Sequence, residues 1–406
     1  GYCLREALIG RRGDQVEQIV PSYHAYDGSY TCLTLTWRHV KLKVETAVQD
    51  HEWYALVTPL QTGIKTEALT IEGAVLWNRT GFARRDQECL IIQAGERVIT
   101  VQSSGTHLNE PVTEISSPYL MVLLDQPVSI STNHQQLGGV KDIIRKKKEA
   151  FLDSRQIYGN LQEVYDAMQS CLAWDTIYDP FNDRIISPVS RIWSCDAGGW
   201  VLFDWDTYFA AWIAGVEHKE QAYANATAIT EQVTEQSFIP NFAHPSGFKS
   251  RDRSQPPVGS ITVKALCDRF DETVLAEQLF DTPLGWNRWW PQNRDKDGYL
   301  CWGSNPYEPV IGNKFETLGV GTGWGAALES GLDNSPMYDD IPFDAESHLL
   351  LLGVVRLMSL YIADFDSLAD LADDIGRSAE AAEQRDRSKH YSDKLKSMCA
   401  EEHGLF

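Results

Sequence analysis

The first part of the chain alternates. Tyr30–Trp37 reads Tyr-Thr-Cys-Leu-Thr-Leu-Thr-Trp, and Lys41–Val48 repeats the period with Leu42, Val44 and Thr46. A two-residue period is the mark of a half-buried strand. Similar short runs follow at Trp53–Thr58, Glu88–Ala94, Arg97–Val101 and Tyr119–Leu124. Strands this short and evenly spaced predict a β-sandwich. A segment rich in Ser, Gln and Gly, Asp125 to Gly139, closes it. The expected division is a β-sandwich domain over 1–139 and a helical domain over 140–406.

Beyond Gly139 the period becomes helical. Asp142–Leu152 leads in, and Leu161, Val164, Tyr165, Met168, Cys171 and Leu172 mark one face of the next helix. Asp206–Gly215, Lys219–Val233, Gly259–Arg269, Glu272–Phe280 and Leu284–Arg294 follow. Phe343–Ile362 is apolar on most sides, which predicts a buried helix. Ser378–Cys399 is amphipathic, with Tyr391, Leu395 and Met398 facing in. Long loops lie between: Trp174–Gly199, Asn241–Pro257, Leu300–Gly325 and Glu329–Pro342. Loops of that length are usually functional. Helices alternating with such loops predict a mainly α chain whose helices form a toroid with its loops gathered at one mouth.

Charge narrows the function. The 57 acidic and 36 basic residues give a net charge of −21. Nucleic-acid binding needs a basic stripe to displace counterions, so that class is excluded. The one basic cluster, Arg145-Lys-Lys-Lys148, reads as a solvated helix face at the domain junction. No apolar run is long enough to span a bilayer, so a membrane partner is not expected. Eight cysteines are scattered without a Cys-x-x-Cys pair, which removes support for zinc and predicts reduced, mostly buried thiols. The chain starts Gly-Tyr-Cys-Leu-Arg, without an initiator Met or a signal-peptide pattern. A cytoplasmic, bacterial-type location is the expectation.

Four segments carry chemistry. They are Pro188-Val-Ser-Arg191-Ile-Trp193, Phe203-Asp-Trp205-Asp206-Thr-Tyr-Phe209, Ile239-Pro-Asn241 with Arg253-Ser-Gln255-Pro-Pro257, and Glu329-Ser-Gly331-Leu-Asp333-Asn-Ser-Pro336. The last puts a carboxylic acid on a Gly-containing turn before a helix-blocking Pro. Trp205 offers a flat apolar face to a pyranose ring, and Asp206 accepts from hydroxyls. Arg191, Asn241, Arg253 and Gln255 supply the forked donors and amides that suit diols. Each residue also has a plainer reading: Asp206 and Asp333 as helix N-caps, the arginines as salt bridges.

Taken in order, and with Trp174-Asp-Thr-Ile-Tyr-Asp179 upstream, these motifs resemble the inverting glycoside hydrolases with an (α/α)6 toroid. The nearest by pattern are family 63 and the mannosylglycerate hydrolases; family 37 trehalases share the signatures more weakly. The resemblance runs from about Ala173 to Phe406. It implies an exo-acting enzyme that cleaves α-glucosidic or α-mannosidic bonds of an oligosaccharide or small α-glycoside with inversion. It makes Asp333 the general acid, and Trp205 and Asp206 the floor of the subsite for the non-reducing sugar. Phe203, Glu329 and Gly331 join the substrate-binding set with Arg191, Asn241, Arg253 and Gln255. Inversion needs a second, ionised carboxyl ~6.5–9.5 Å from the acid to activate water.

In the resembling families that base is a Glu late in the toroid. Glu308, Glu329, Asp339 and Asp340 lie on the right loops but outside the base motif. The general base is therefore expected outside this chain, with the toroid incomplete at its C-terminus until a further segment or a second chain completes it. Two alternatives follow: a trehalase-like enzyme, weakened by Leu202-Phe-Asp where trehalases carry Arg-Glu, and a sugar-binding protein lacking a base. No cofactor is needed for the chemistry. Asn293-Arg-Asp295-Lys-Asp297-Gly resembles a short calcium loop, so a structural Ca²⁺ on Asn293, Asp295 and Asp297 is expected.

Overall fold

The computed structural model describes residues 17–37, 40–61, 68–76, 79–109, 111, 115–188, 190–194, 199–307, 317 and 319–399. The chain divides into two compact units, Gly1–Trp174 and Asp175–Phe406.

The first unit is β-rich. Its strands are β1 (Glu17–His24), β2 (Tyr30–Trp37), β3 (Val40–Gln49), β4 (Glu52–Gln61), β5 (Ala68–Glu72), β6 (Gly81–Asp86), β7 (Cys89–Ala94), β8 (Arg97–Ser103), β9 (His107–Leu108), β10 (Tyr119–Leu123) and β11 (Val128–Ser131). Eight form one sheet in the order β1-β2-β3-β4-β11-β8-β7-β6, and three form a second, β5-β10-β9. The alternation sorts side chains to two faces. Val44 of β3 joins Val57, Leu90 and Ile130 in a cluster that also takes Leu120 and Val122 from the smaller sheet. Its neighbour Ala47 faces the other way, into a cluster with Tyr30, Tyr54, Val140, Ile144 and Phe151. The last three belong to α1 (Val140–Ser154).

The change from strand to helix thus falls at Gly139, but α1 packs on the large sheet, and the compact unit runs on through most of α2 (Gln162–Asp175). Composition marks where the period changes; burial of the helix face decides which core a helix joins. Arg145 and Lys146 lie on the exposed side of α1, where Arg145 pairs with Glu149 at 3.0 Å.

The second unit is mainly helical. After β12 (Ile177–Asp179), β13 (Arg184–Ile186), β14 (Ser190–Ser194) and β15 (Gly199–Phe203) come α3 (Asp204–Ala214) and α4 (Lys219–Thr230). Then follow β16 (Phe242–Ala243), α5 (Gly259–Phe270), α6 (Val274–Leu279), α7 (Asp281–Arg294), α8 (Gly323–Glu329), α9 (Val355–Asp374) and α10 (Ser378–Lys396). Its core is aromatic: Tyr208, Phe238, Trp286, Trp290, Trp302, Tyr361 and Phe365 are all sealed from solvent.

The apolar run from Phe343 is not a helix throughout. Phe343–Asp344 and Leu349–Leu350 pair as a hairpin, and the helix begins only at Val355 and continues to Asp374. Asp344 explains the difference. Its carboxylate accepts from Glu346 N at 3.1 Å and Ser347 Oγ at 2.6 Å, a local turn that competes with helix. The thiols also differ from expectation: among the described cysteines Cys267 and Cys301 are buried, whereas Cys171 is exposed, and all are free. No helix among the described residues is long and apolar enough to cross a membrane.

Candidate active site

Three of the four sequence segments meet at the start of α3. Phe203, extended at φ −96° and ψ 139°, caps the helix with no side-chain bond, so Trp205 and Asp206 fall in its first turn. Backbone bonds fix that turn. Asp204 N donates to Asn241 O at 3.1 Å, and Asn241 N donates to Arg253 O at 3.1 Å. Asn241 Nδ2 reaches Leu328 O at 3.2 Å, and Gln255 Oε1 accepts from Trp205 N at 3.3 Å. Asn241 and Gln255 are both buried. Asn241 Nδ2 and Gln255 Oε1 thereby tie the segments together.

The fourth segment is pinned to Trp205. Helix α8 ends at Glu329, and the chain turns at Gly331 with φ +69°, a conformation that favours glycine. A Cβ there would stand 2.6 Å from Trp205 Cζ2, so the turn lies directly against the indole. Asp333 follows two residues later. Glu329 is turned into the protein interior. It is fully buried, and its two oxygens accept from Arg294 Nε (2.7 Å), Arg294 Nη2 (2.9 Å), Ser254 N (2.9 Å) and Gly303 N (2.7 Å). Four bonds fill a carboxylate. Glu329 is therefore a clamp between three loops, with no lone pair left for a sugar hydroxyl.

Burial raises the Asp333 carboxyl above the ordinary range, opposed by its own backbone N–H and by the Arg253 guanidinium. Burial also raises Asp206, and the negative charge of Asp333 adds to that shift. The two acids are thus close enough to share the cost of ionising. The Asp206 backbone N–H and the Trp205 side chain oppose the rise at Asp206, as the Arg253 guanidinium does at Asp333. Asp204, behind them, is sealed from solvent and pushed far up by burial. Its oxygens face the Gln255 amide and the Ser254 hydroxyl without closing a bond of standard geometry. Arg253 is buried and paired with Asp252 at 3.0 Å, while Arg251 pairs outward with Glu235 at 3.6 Å. Of the two arginines, Arg253 is the one whose charge acts on Asp333.

A hollow of about 440 Å³ opens beside the turn. Gly323, Trp324, Asp333, Ser335, Tyr338 and Asp339 contribute to its wall. Arg356, in the first turn of α9, lies with its guanidinium 4.5 Å from the centre of the Trp205 ring. Sequence reading missed it because it sits in an apolar run. It also missed Arg294, which was passed over between two expected metal ligands. Arg191 lies in β14, but its side chain is outside the described residues.

The calcium reading meets a poor fit. β17 (Asp295–Lys296) and β18 (Tyr299–Leu300) pair across a two-residue turn, with Asp297 at φ 59° and Gly298 at φ 86°. Such left-handed pairs make tight hairpins. Asn293 Oδ1 accepts from Tyr307 Oη at 2.7 Å. Asp295 accepts from Gly298 N at 2.8 Å and Tyr391 Oη at 3.2 Å. Asp297 is exposed. Protein donors hold these oxygens, so they do not present the cage of about six to eight oxygens that Ca²⁺ takes. Among the described residues no group of three His, Cys, Asp or Glu suits a metal.

A family model described as the mannosylglycerate hydrolase MGH1-like glycoside hydrolase domain matches residues 199–406. Among solved structures, a GH63 mannosylglycerate hydrolase from Thermus thermophilus in complex with glucose is 17% identical, covering 50% of this chain and 60% of that one, with a TM-score of 0.38. A bacterial glucoamylase complexed with acarbose is 11% identical, covering 93% and 58%, with a TM-score of 0.46. The chain spans about three fifths of the length of these structures. No curated protein sequence matches it.

Proposed function

Because the chain belongs to the mannosylglycerate hydrolase MGH1-like glycoside hydrolases, we propose that it acts on α-glucosidic or α-mannosidic bonds with inversion, releasing a sugar from the non-reducing end. Asp333 is the general acid in this reading. The observation that carries it is the placement of Asp333: a carboxyl biased toward protonation by burial, two residues beyond a glycine packed on Trp205. A proton held near neutrality is what a leaving glycosidic oxygen needs.

The other residues take roles that follow from position. Trp205 floors the sugar subsite with its indole, and Asp206 accepts from a sugar hydroxyl. Burial and the negative charge of Asp206 beside it both favour the protonated Asp333 that the leaving oxygen needs. Arg253 steadies the carboxylate that Asp333 becomes after donation. Asn241, Gln255 and Glu329 hold the turn and the platform in register. Arg191 and Phe203 complete the sugar-facing set, and the helical unit contributes to an (α/α)6 toroid. The water-activating group is a second, ionised carboxyl ~6.5–9.5 Å from Asp333.

Proton NMR of the product tests the stereochemistry. The full chain of the natural protein is given nitrophenyl α-glucoside, nitrophenyl α-mannoside, trehalose and mannosylglycerate in turn. The first-formed sugar from the accepted substrate is expected in the β configuration. A first-formed α anomer contradicts the inverting mechanism.

A further inference from the structure

Arg356 lies against the platform, and the reading above does not use it. Its guanidinium lies over Trp205 with Nη1 sealed from solvent and, among the described residues, no acceptor in reach of that atom. Among the described residues no carboxylate pairs with it. The other arginines around the site differ: Arg253 has Asp252 at 3.0 Å, and Arg294 has Glu329 at 2.7 Å. In a chain with 57 acids and 36 bases, a half-buried cation without an acid is unusual. Burial depresses its pKa, and Tyr338 alone opposes that. Among the described residues, the indole face it lies on is what compensates a charge so placed.

The helix makes the placement worse. Arg356 is the second residue of α9, a 20-residue helix with no acid in its first turn and no side-chain cap. A helix N-terminus carries partial positive charge, so a cation there adds like to like. An anion brought to this edge would be favoured by both.

We propose that Arg356 selects a glycone bearing an anionic group, a uronate carboxylate or a sugar phosphate. The inference rests on the reading of Trp205 as the floor of the glycone subsite. A charge stacked on that indole flanks the sugar itself rather than its leaving group. The planar guanidinium fork suits either anion, through paired N–H donors.

Calorimetry on the full chain at low ionic strength, with D-glucuronate, D-glucose 6-phosphate and D-glucose as probes, tests this. At least one anionic sugar is expected to bind about 10-fold tighter than glucose or better, the scale of one charge-assisted hydrogen bond. Glucuronate alone winning assigns a carboxylate, and the 6-phosphate alone winning assigns a phosphate. Arg356→Met erases the difference, while Arg356→Lys keeps part of it. Arg356→Gln, polar and neutral, serves if the Met variant melts early. Glucose binding as tightly as both anions overturns the proposal. So does a preference that survives Arg356→Met or Arg356→Gln, or the absence of any anion binding. The catalytic reading fails separately: Asp333→Asn loses hydrolysis only if Asp333 is the acid, whichever sugar binds.

Discussion

A Cβ at Gly331 would come 2.6 Å from Trp205 Cζ2, on a residue whose φ of +69° L side chains rarely adopt. Gly331→Ala must therefore move the indole or the turn, and Asp333 moves with either. The expected stability loss is about 1–3 kcal/mol. The expected activity loss is on the order of 100-fold, the scale of a 1 Å misplacement of a catalytic group. Melting and initial rates measured on one preparation check both. Glu329 makes a complementary case. Glu329→Gln leaves the buried Arg294 cation without its counter-ion, which costs about 3–5 kcal/mol. Denaturant unfolding of the variant checks it, and a loss below about 1 kcal/mol would mean the pair is not a clamp. The sequence had shown Glu329 only as a carboxylate near the acid. Its four donors come from residues 26 to 75 positions away, a convergence that no local pattern encodes.

Helices α5, α7 and α9 meet at Asp364. It accepts from Ser260 Oγ on α5 and from Asn287 Nδ2 on α7 at 2.7 Å, yet burial still pushes its carboxyl up to about 7. The unfolded carboxyl titrates near about 4. Between those values the folded state holds a proton that the unfolded state has released, so stability falls as pH rises from about 4 to 7 and levels off above. Asp364→Asn is expected to flatten that slope and to raise the melting temperature above pH 7. The gain is on the order of a few kcal/mol. Melts across pH 4 to 8 check it; a wild-type slope no steeper than the variant's contradicts the assignment. The longer helices and the strands β2, β3, β4, β7, β8 and β10 were legible in the sequence through their apolar periods. β11 was not: Val128 and Ile130 are buried, but four residues among serines carry too little period to be read. The start of α9 was also missed, since an apolar run alone does not separate a hairpin from a buried helix.

On the scale of the whole chain, the sequence shows a strand-rich part followed by a helical part, and the structure agrees. Where the two units divide was not legible. It depends on which core the apolar face of α1 enters, and Val140, Ile144 and Phe151 enter the sheet's. Of the site, the ordered motifs showed Trp205, Asp206, Arg253 and Asp333, and the second unit brings these together. What the motifs could not show is the division of labour between groups that face a ligand and groups that hold those in place. Asn241 and Gln255 look like sugar binders as residue types, and one side-chain atom of each also holds neighbouring segments.

Asp333 as proton donor is the centre of this account. Its most direct test compares Asp333→Asn with the wild-type full chain on two α-glycosides of the sugar that the natural enzyme accepts. One has 2,4-dinitrophenol as leaving group, which departs without a proton; the other has an alcohol, which needs one. The account predicts that the variant loses at least ~100-fold on the alcohol glycoside and far less on the dinitrophenyl one. Equal loss on both, or no loss on the alcohol glycoside, would contradict it.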